Sequence, residues 1–336
     1  MKLFRKQGCP VSCVGRALEF AVLRASLAAL RILPGPVART IGDTAGAAAG
    51  TLFRWHRNRA IENLEQAFPE RPPQWARRTA SACFRHFGRA IAEAAHAPVS
   101  GADPRWKEIL SVPDEARVLS LLAEGRGLIW VGGHLGNWEF AATWAARHGL
   151  DLASVAHGSR NPRLDAFIQR ERALRGNTSI RIDGAFRNLI RALKGGGMVA
   201  LLTDRNPRDS GVLVPFFGRE ILTVTTPALL SCVTGAPILP FSCVRDGDRF
   251  RYVLRFADAI RPDPAAPRGD EVLRITRAHT AALEQFIRET PEQWQWMHRR
   301  WKITPGGRKR AGVSSREPAV PARACEVGQA PAISGR

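Results

Sequence analysis

The sequence predicts an α/β fold in which a mixed sheet is wrapped by helices, preceded by an N-terminal helical segment. Three observations carry this expectation. From Gly127 onward, short apolar runs alternate with stretches of helical period. Glycines punctuate the ends of those runs, as at Gly132-Gly133 and Gly195-Gly196-Gly197. The first hundred residues, by contrast, read as helix throughout. With 336 residues, 45% of them hydrophobic, the chain can bury one large core and still carry an appendage. The expected boundaries are a helical region over 1–100, an α/β domain over 101–305 and a basic tail over 306–336.

Val11 to Leu33 is rich in Ala, Leu and Val, but Arg16, Glu19, Arg24 and Arg31 interrupt it. Spanning a bilayer would bury these charges at about 2.5–3.5 kcal/mol each near the centre. An interfacial helix with its arginines toward head groups is therefore expected, and a broken apolar core without a small-residue cleavage site argues against a signal peptide. Ile61, Leu64 and Phe68 share one helical face up to Phe68-Pro69, and another helix is expected from about Trp75 to Ala95. The alternation then reads strand 127–131, helix 138–147, strand 152–156, helix 164–175, a strand near Ile180, helix 185–194, strand 198–203, helix 226–234, strands 237–244 and 251–257, and helix 271–289. After Pro305 the periodicity stops and Gly, Pro, Ala, Ser and Arg take over, so 306–336 is expected to be a disordered tail in which Arg308-Lys309-Arg310 touches anionic lipid or stays solvated.

The formal net charge of +20 implies a broad positive field suited to an anionic membrane, an acidic protein or nucleic acid. No zinc-finger spacing, ribonucleoprotein motif or recognition helix accompanies the charge, which is dispersed along the chain, so nucleic acid is not expected as a partner. The six cysteines are scattered without a Cys-x2-Cys pair, as expected of reduced thiols.

His134-Leu135-Gly136-Asn137-Trp138-Glu139 follows the first strand of the α/β region and opens a helix. Strand ends of this kind gather ligands in open α/β sheets. A first-turn carboxylate reaching back to the imidazole fixes its tautomer, which leaves the other ring nitrogen to take a proton from a substrate hydroxyl. His134 is thus the expected general base and Glu139 its orienting partner. A turn histidine beside a charge that compensates a helix N-terminus reads equally well from these residues alone. Gly136 gives the turn, and Asn137, near free N–H groups of the following helix, is placed to cap or to face an oxyanion. Asp204 ends another strand and is expected to orient an arginine or a sugar hydroxyl, or to cap a turn. Arg160 and Arg172 follow the next strand, where guanidinium groups bind phosphate. Phe216-Phe217 walls an acyl chain or packs as core. Trp294, Trp296 and Trp301 beside Arg299, Arg300 and Lys302 read as an interfacial aromatic and basic belt, with core packing as the competing reading.

Gly133-His134-Leu135-Gly136-Asn137-Trp138-Glu139 resembles the His-x4-Glu block of the lysophospholipid acyltransferase superfamily, in its late lipid A acyltransferase (lauroyl/myristoyl transferase) branch. Further blocks resemble that branch in the same order. They are Asn63-Leu64 with Ala67-Phe68-Pro69-Glu70, Arg172 with Gly176, Leu193-Lys194-Gly195-Gly196 and Thr203-Asp204, then Val214 to Gly218, Thr234 to Pro237, and Pro291 to Trp294 with Trp296, His298, Arg299, Arg300 and Lys302. The resemblance covers about residues 15 to 305. It departs at Asp204-Arg205, where the family commonly has Asp-Gln, and at Trp294, where it usually has Tyr.

The resemblance implies a glycerolipid acyltransferase-like fold on the cytoplasmic face of a bacterial inner membrane. It also implies transfer of a fatty acyl group from acyl carrier protein, or from coenzyme A, to a hydroxyl of a lipid A precursor, with the anionic glycolipid acceptor and the membrane surface as further partners. No cofactor or metal is expected beyond that co-substrate. Two alternatives stay open: an acyltransferase for another lysolipid or glycolipid, and a non-catalytic basic protein that binds lipid or nucleic acid. A serine-nucleophile elbow, a phosphate loop, a His-Glu-x2-His zinc motif and a dinucleotide-binding glycine pattern are all missing from the sequence.

Overall fold

The computed structural model describes residues 13–156, 158–181, 185–207 and 211–301. The expected tail at 306–336, Arg308-Lys309-Arg310 and Lys302 lie outside the described residues. Four helices come first: α1 (Cys13–Ile32), α2 (Gly35–Leu52), α3 (Arg54–Ala67) and α4 (Pro73–His96). Proline sets each break it can, since Pro34 and Pro72 precede helical starts whose first N–H groups need no internal partner. Helices α2 and α4 meet backbone to backbone. A Cβ on Gly88 would sit 2.1 Å from the Gly42 carbonyl oxygen, so only glycine allows this approach.

The α/β part follows as α5 (Trp106–Ile109), β1 (Leu110–Ser111), α6 (Glu115–Ala123), β2 (Leu128–Gly132), α7 (Ala141–Arg147) and β3 (Leu152–Ala156). It continues with α8 (Pro162–Leu174), β4 (Asn177–Arg181), α9 (Ala185–Lys194), β5 (Met198–Leu202), β6 (Val212–Phe216) and β7 (Arg219–Thr223). The last elements are α10 (Thr226–Thr234), β8 (Ile238–Arg245), β9 (Tyr252–Phe256) and α11 (Arg268–Glu289). Seven strands form one sheet in the order β1-β9-β8-β2-β5-β3-β4, and only the β8–β9 pairing is antiparallel. The expected mixed sheet is therefore mostly parallel, with helices flanking it. β2 and β8 are buried along their whole length, as the uninterrupted apolar runs of strands covered on both faces require.

The sequence reading did not anticipate β1 or the separate hairpin β6–β7. β6 carries Pro215, which has no N–H to donate to a ladder, and a two-stranded ribbon tolerates it where a central strand would not.

Among the described residues, no helix is long and apolar enough to cross a membrane. Helix α1 leaves Val14, Leu18 and Val22 exposed at four-residue spacing. Two of its arginines are exposed and also touch the domain. The Arg24 guanidinium lies 5.1 Å from the Phe167 ring centre, and Arg31 Nε donates to the Ala95 carbonyl at 3.1 Å.

Candidate active site

His134 and Asp204 meet because two neighbouring parallel strands are in register. Gly132 at the end of β2 pairs with Leu202 at the end of β5, and each of the two residues lies two positions further on. His134 Nδ1 is 2.7 Å from Asp204 Oδ1, and the His134 backbone N–H donates to Asp204 Oδ2 at 2.7 Å. Trp294 Nε1 donates to the same Oδ2 at 2.9 Å. Burial alone raises a carboxyl's pKa. The His134 ring and these hydrogen bonds outweigh it and hold the fully buried Asp204 well below the usual carboxylate range. An ionised Asp204 accepts only, so Nδ1 carries the proton and Nε2 has a free lone pair. Among the described residues Nε2 meets no hydrogen-bond partner. The imidazole is 13% exposed, with the Trp138 ring centre at 4.7 Å and that of His298 at 5.5 Å.

Glu139 does not hold the imidazole. Its carboxylate receives Arg172 Nε at 3.0 Å and Arg172 Nη2 at 2.5 Å. The chain enters this region through a 3-10 turn, Trp138–Phe140, before α7 begins, and the tighter turn accompanies a Glu139 side chain directed to α8. Three expectations are corrected together. The partner of His134 Nδ1 is Asp204 in place of Glu139. Asp204 orients a histidine, not an arginine or a sugar. Arg172 is neutralised by a carboxylate and is not a free phosphate site. Arg160 stays exposed on the loop before α8, and no described contact joins it to His134 or Asp204.

Gly136 adopts φ +62°, and a Cβ there would lie 2.0 Å from the Cys243 carbonyl oxygen. Its N–H donates to Gln293 O, while the Asn137 N–H donates to Cys243 O. The N–H groups of His134 and Leu135 are likewise occupied, by Asp204 and by Gly133 O. The backbone N–H groups of residues 134–137 are thus all occupied, which pins the loop. The Asn137 side chain makes no capping bond.

Two supports lay beyond sequence reasoning. The first is a buried network in which Arg245 donates to Glu93 through Nε at 3.1 Å and through Nη2 at 2.7 Å, and to His86 Nδ1 at 2.7 Å. Tyr252 Oη donates to Glu93 at 2.6 Å. His86 Nε2 faces the Gly136 carbonyl at 3.4 Å. Burial, reinforced by the Arg245 charge, pushes the His86 pKa down to about 3 and keeps the ring neutral. The second is the segment 291–301. Leu135 bridges Trp294, and Gln295 N–H donates to His134 O at 3.2 Å. Trp294 and Trp296 are fully buried in a cluster with Phe216 and Phe217, so these two tryptophans of the expected belt are core, while Trp301 is half-buried. Arg300 is buried too and donates to Leu222 O and Thr223 Oγ1, while Arg299 alone of the pair faces outward.

Trp138, whose ring packs against His134, also lines a small cavity of about 60 Å³. Trp138, Leu152, Val155, Ala200, Leu202 and Phe241 line it, with the Glu139–Arg172 pair in its wall. A histidine oriented by a buried carboxylate at the strand ends of an α/β sheet suits activation of a hydroxyl. With the relatives below, it marks the chain as an acyltransferase. The profile described as bacterial lipid A biosynthesis acyltransferase matches residues 11–303, and the chain belongs to that family. It is 29% identical over 280 residues to the lipid A biosynthesis lauroyltransferase of Escherichia coli strain K12, covering 82% of this chain and 88% of that protein. The palmitoleoyltransferase of the same strain is 27% identical over 278 residues, again 82% and 88%. A phosphatidylinositol mannoside acyltransferase of Mycobacterium tuberculosis strain H37Rv is 30% identical over 202 residues, 58% of this chain and 61% of that protein.

Proposed function

We propose that the protein transfers a fatty acyl group from acyl carrier protein to a hydroxyl of a lipid A precursor at the cytoplasmic face of a bacterial inner membrane. The observation that carries this reading is the His134–Asp204 pair, with Nδ1 committed to the carboxylate and Nε2 unpartnered among the described residues. In this scheme Nε2 removes the proton as the acceptor oxygen attacks the thioester carbonyl. Asp204 stabilises the imidazolium, the tetrahedral intermediate collapses, the C–S bond breaks, and the departing thiolate takes the proton back from Nε2. A thiol near pKa 8.5 leaves readily, so the demanding step is activation of the alcohol.

The apolar side of the cavity beside Trp138, formed by Leu152, Val155, Ala200, Leu202 and Phe241, is the natural place for the first carbons of the acyl chain. The net charge of +20 favours an acidic carrier and an anionic acceptor. The exposed apolar stripe Val14, Leu18 and Val22 of α1 supports membrane association. The mycobacterial relative favours a second reading, in which the acceptor is another glycolipid.

The test is mass spectrometry of lipid A from cells with and without the protein, paired with transfer by purified protein from carrier-bound donor. An acyl group that disappears from lipid A in the deletion supports the reading. Unchanged lipid A, with transfer to a different glycolipid in vitro, selects the second.

A further inference from the structure

Helix α2 ends at Leu52 and α3 begins at Arg54, so a single residue, Phe53, forms the corner. Three large apolar side chains stand out there: Leu52 is 77% exposed, Phe53 58% and Trp55 54%. The Phe53 and Trp55 rings each pack edge-on against His56, which makes one continuous aromatic knob. Around it are Arg54, Arg57, Arg59 and Arg299, none of which forms a close salt bridge among the described residues, although Glu62 attracts Arg59. The Arg59 guanidinium sits 3.5 Å from the centre of the Trp55 ring and that of Arg299 5.1 Å from it. Burial and the like charge of Arg299 lower the Arg59 pKa by more than nearby Glu62 raises it, so two cations are held close together over one indole.

We propose that this corner is a membrane anchor, in which Leu52, Phe53 and Trp55 enter the interface of an anionic bilayer and lipid phosphates lie between Arg59 and Arg299. An indole at head-group depth with guanidinium groups beside it is the arrangement that interfaces favour. Apolar side chains projecting among cations suit a lipid surface better than an acidic protein, which would satisfy the charges and leave Leu52 and Phe53 in contact with polar groups. The corner is also tied to the active site. Asn63 of α3 donates to the carbonyls of Trp296 and His298, and Arg299 follows His298, whose ring lies beside His134. Docking the corner therefore holds the dyad close to the lipid surface. The inference goes beyond the acyl-transfer reading, and its test requires no turnover.

The full-length protein, its Phe53→Ser/Trp55→Ser variant and its Arg54→Ala/Arg299→Ala variant would be floated with phosphatidylcholine vesicles, alone and containing phosphatidylglycerol. All four substituted positions are exposed, and thermal melting checks that each variant is folded. The aromatic variant should bind anionic vesicles about tenfold less. The arginine variant should lose a similar factor on anionic vesicles and change little on phosphatidylcholine alone. Acyl transfer to detergent-dispersed acceptor should stay at the parental rate in the aromatic variant. Parental flotation of both variants would overturn the proposal. So would intact flotation with a raised KM for carrier-bound donor, which would make the corner a carrier-docking surface.

Discussion

Replacing Asp204 with asparagine separates chemistry from folding. On its Oδ2 side the carboxylate accepts two hydrogens that cannot move away, from the His134 backbone and from Trp294 Nε1. On its Oδ1 side it faces only His134 Nδ1. An asparagine therefore keeps its oxygen toward the two fixed donors and turns its NH2 to the imidazole, the one partner able to change from donor to acceptor. Stability falls by about 1.5–3 kcal/mol, the scale of one hydrogen bond to a charged group. The imidazole now carries its proton on Nε2 and cannot accept one from a hydroxyl. The same tautomer trap in serine-protease triads lowers turnover about 10⁴-fold, which corresponds to roughly 5.5 kcal/mol of barrier. Single-turnover transfer from carrier-bound donor, with a denaturant melt of the same sample, reads both quantities. A folded Asp204→Asn variant retaining more than about a tenth of parental rate would refute the dyad.

Glu139→Gln should cost less than Asp204→Asn, about tenfold, and its effect should largely vanish in an Arg172→Ala background, because the two side chains act as one ion pair; equal losses in both backgrounds would separate them. His86 and His279, with pKa values near 3, and His298, near 4, lie below the ordinary 6.5 because burial disfavours their charged forms. The unfolded chain binds the protons that the folded one refuses. Their contribution to stability is therefore full above pH 6.5 and lost as pH falls toward 4, at up to about 1.4 kcal/mol per pH unit for each histidine. Denaturant melts between pH 7 and pH 4.5 (roughly the titration window of these groups) should show this slope. Among the described residues neither ring nitrogen of His279 has a hydrogen-bond partner, so His279→Leu should reduce the slope by about one proton, and an unchanged slope would count against it. Glu93→Leu leaves Arg245 charged and buried without its carboxylate, and a loss of about 3–5 kcal/mol is expected in the same melts. Gly136→Ala forces a Cβ against the Cys243 backbone and should displace the loop, abolishing transfer while far-ultraviolet circular dichroism stays near parental.

Much of the fold was legible because β2, β5 and β8 are apolar runs of strand length bounded by glycine or proline, and α11 keeps one apolar face over six turns. The hairpin β6–β7 was not, because Val-Leu-Val-Pro-Phe lacks a partner run with clear alternation, and Arg219-Glu220 hides the second strand. Both members of the dyad were visible as strand-end residues. Their pairing was not, since periodicity locates strand ends without saying which strands are neighbours. The β2–β5 adjacency spans 70 residues of chain. The five-residue spacing from His134 to Glu139 looked like the obvious partnership, and a 3-10 turn in place of a full helical start undid it. Glu93 and His86 lie seven apart on α4 and gave no polar signal among its alanines, because burial of a charged side chain depends on Arg245, a residue 152 positions away.

The strap formed by residues 291–301 has a consequence for biosynthesis. It supplies the carbonyl that fixes Gly136, the N–H that fixes His134 and the indole that completes the Asp204 cradle. During translation these are among the last described residues to emerge, long after His134 and Asp204. A nascent chain can therefore assemble β2 beside β5 and still lack a third of the contacts around its carboxylate. The last hydrogen bond to Asp204 thus waits for the strap, which follows both partners of the pair in the chain.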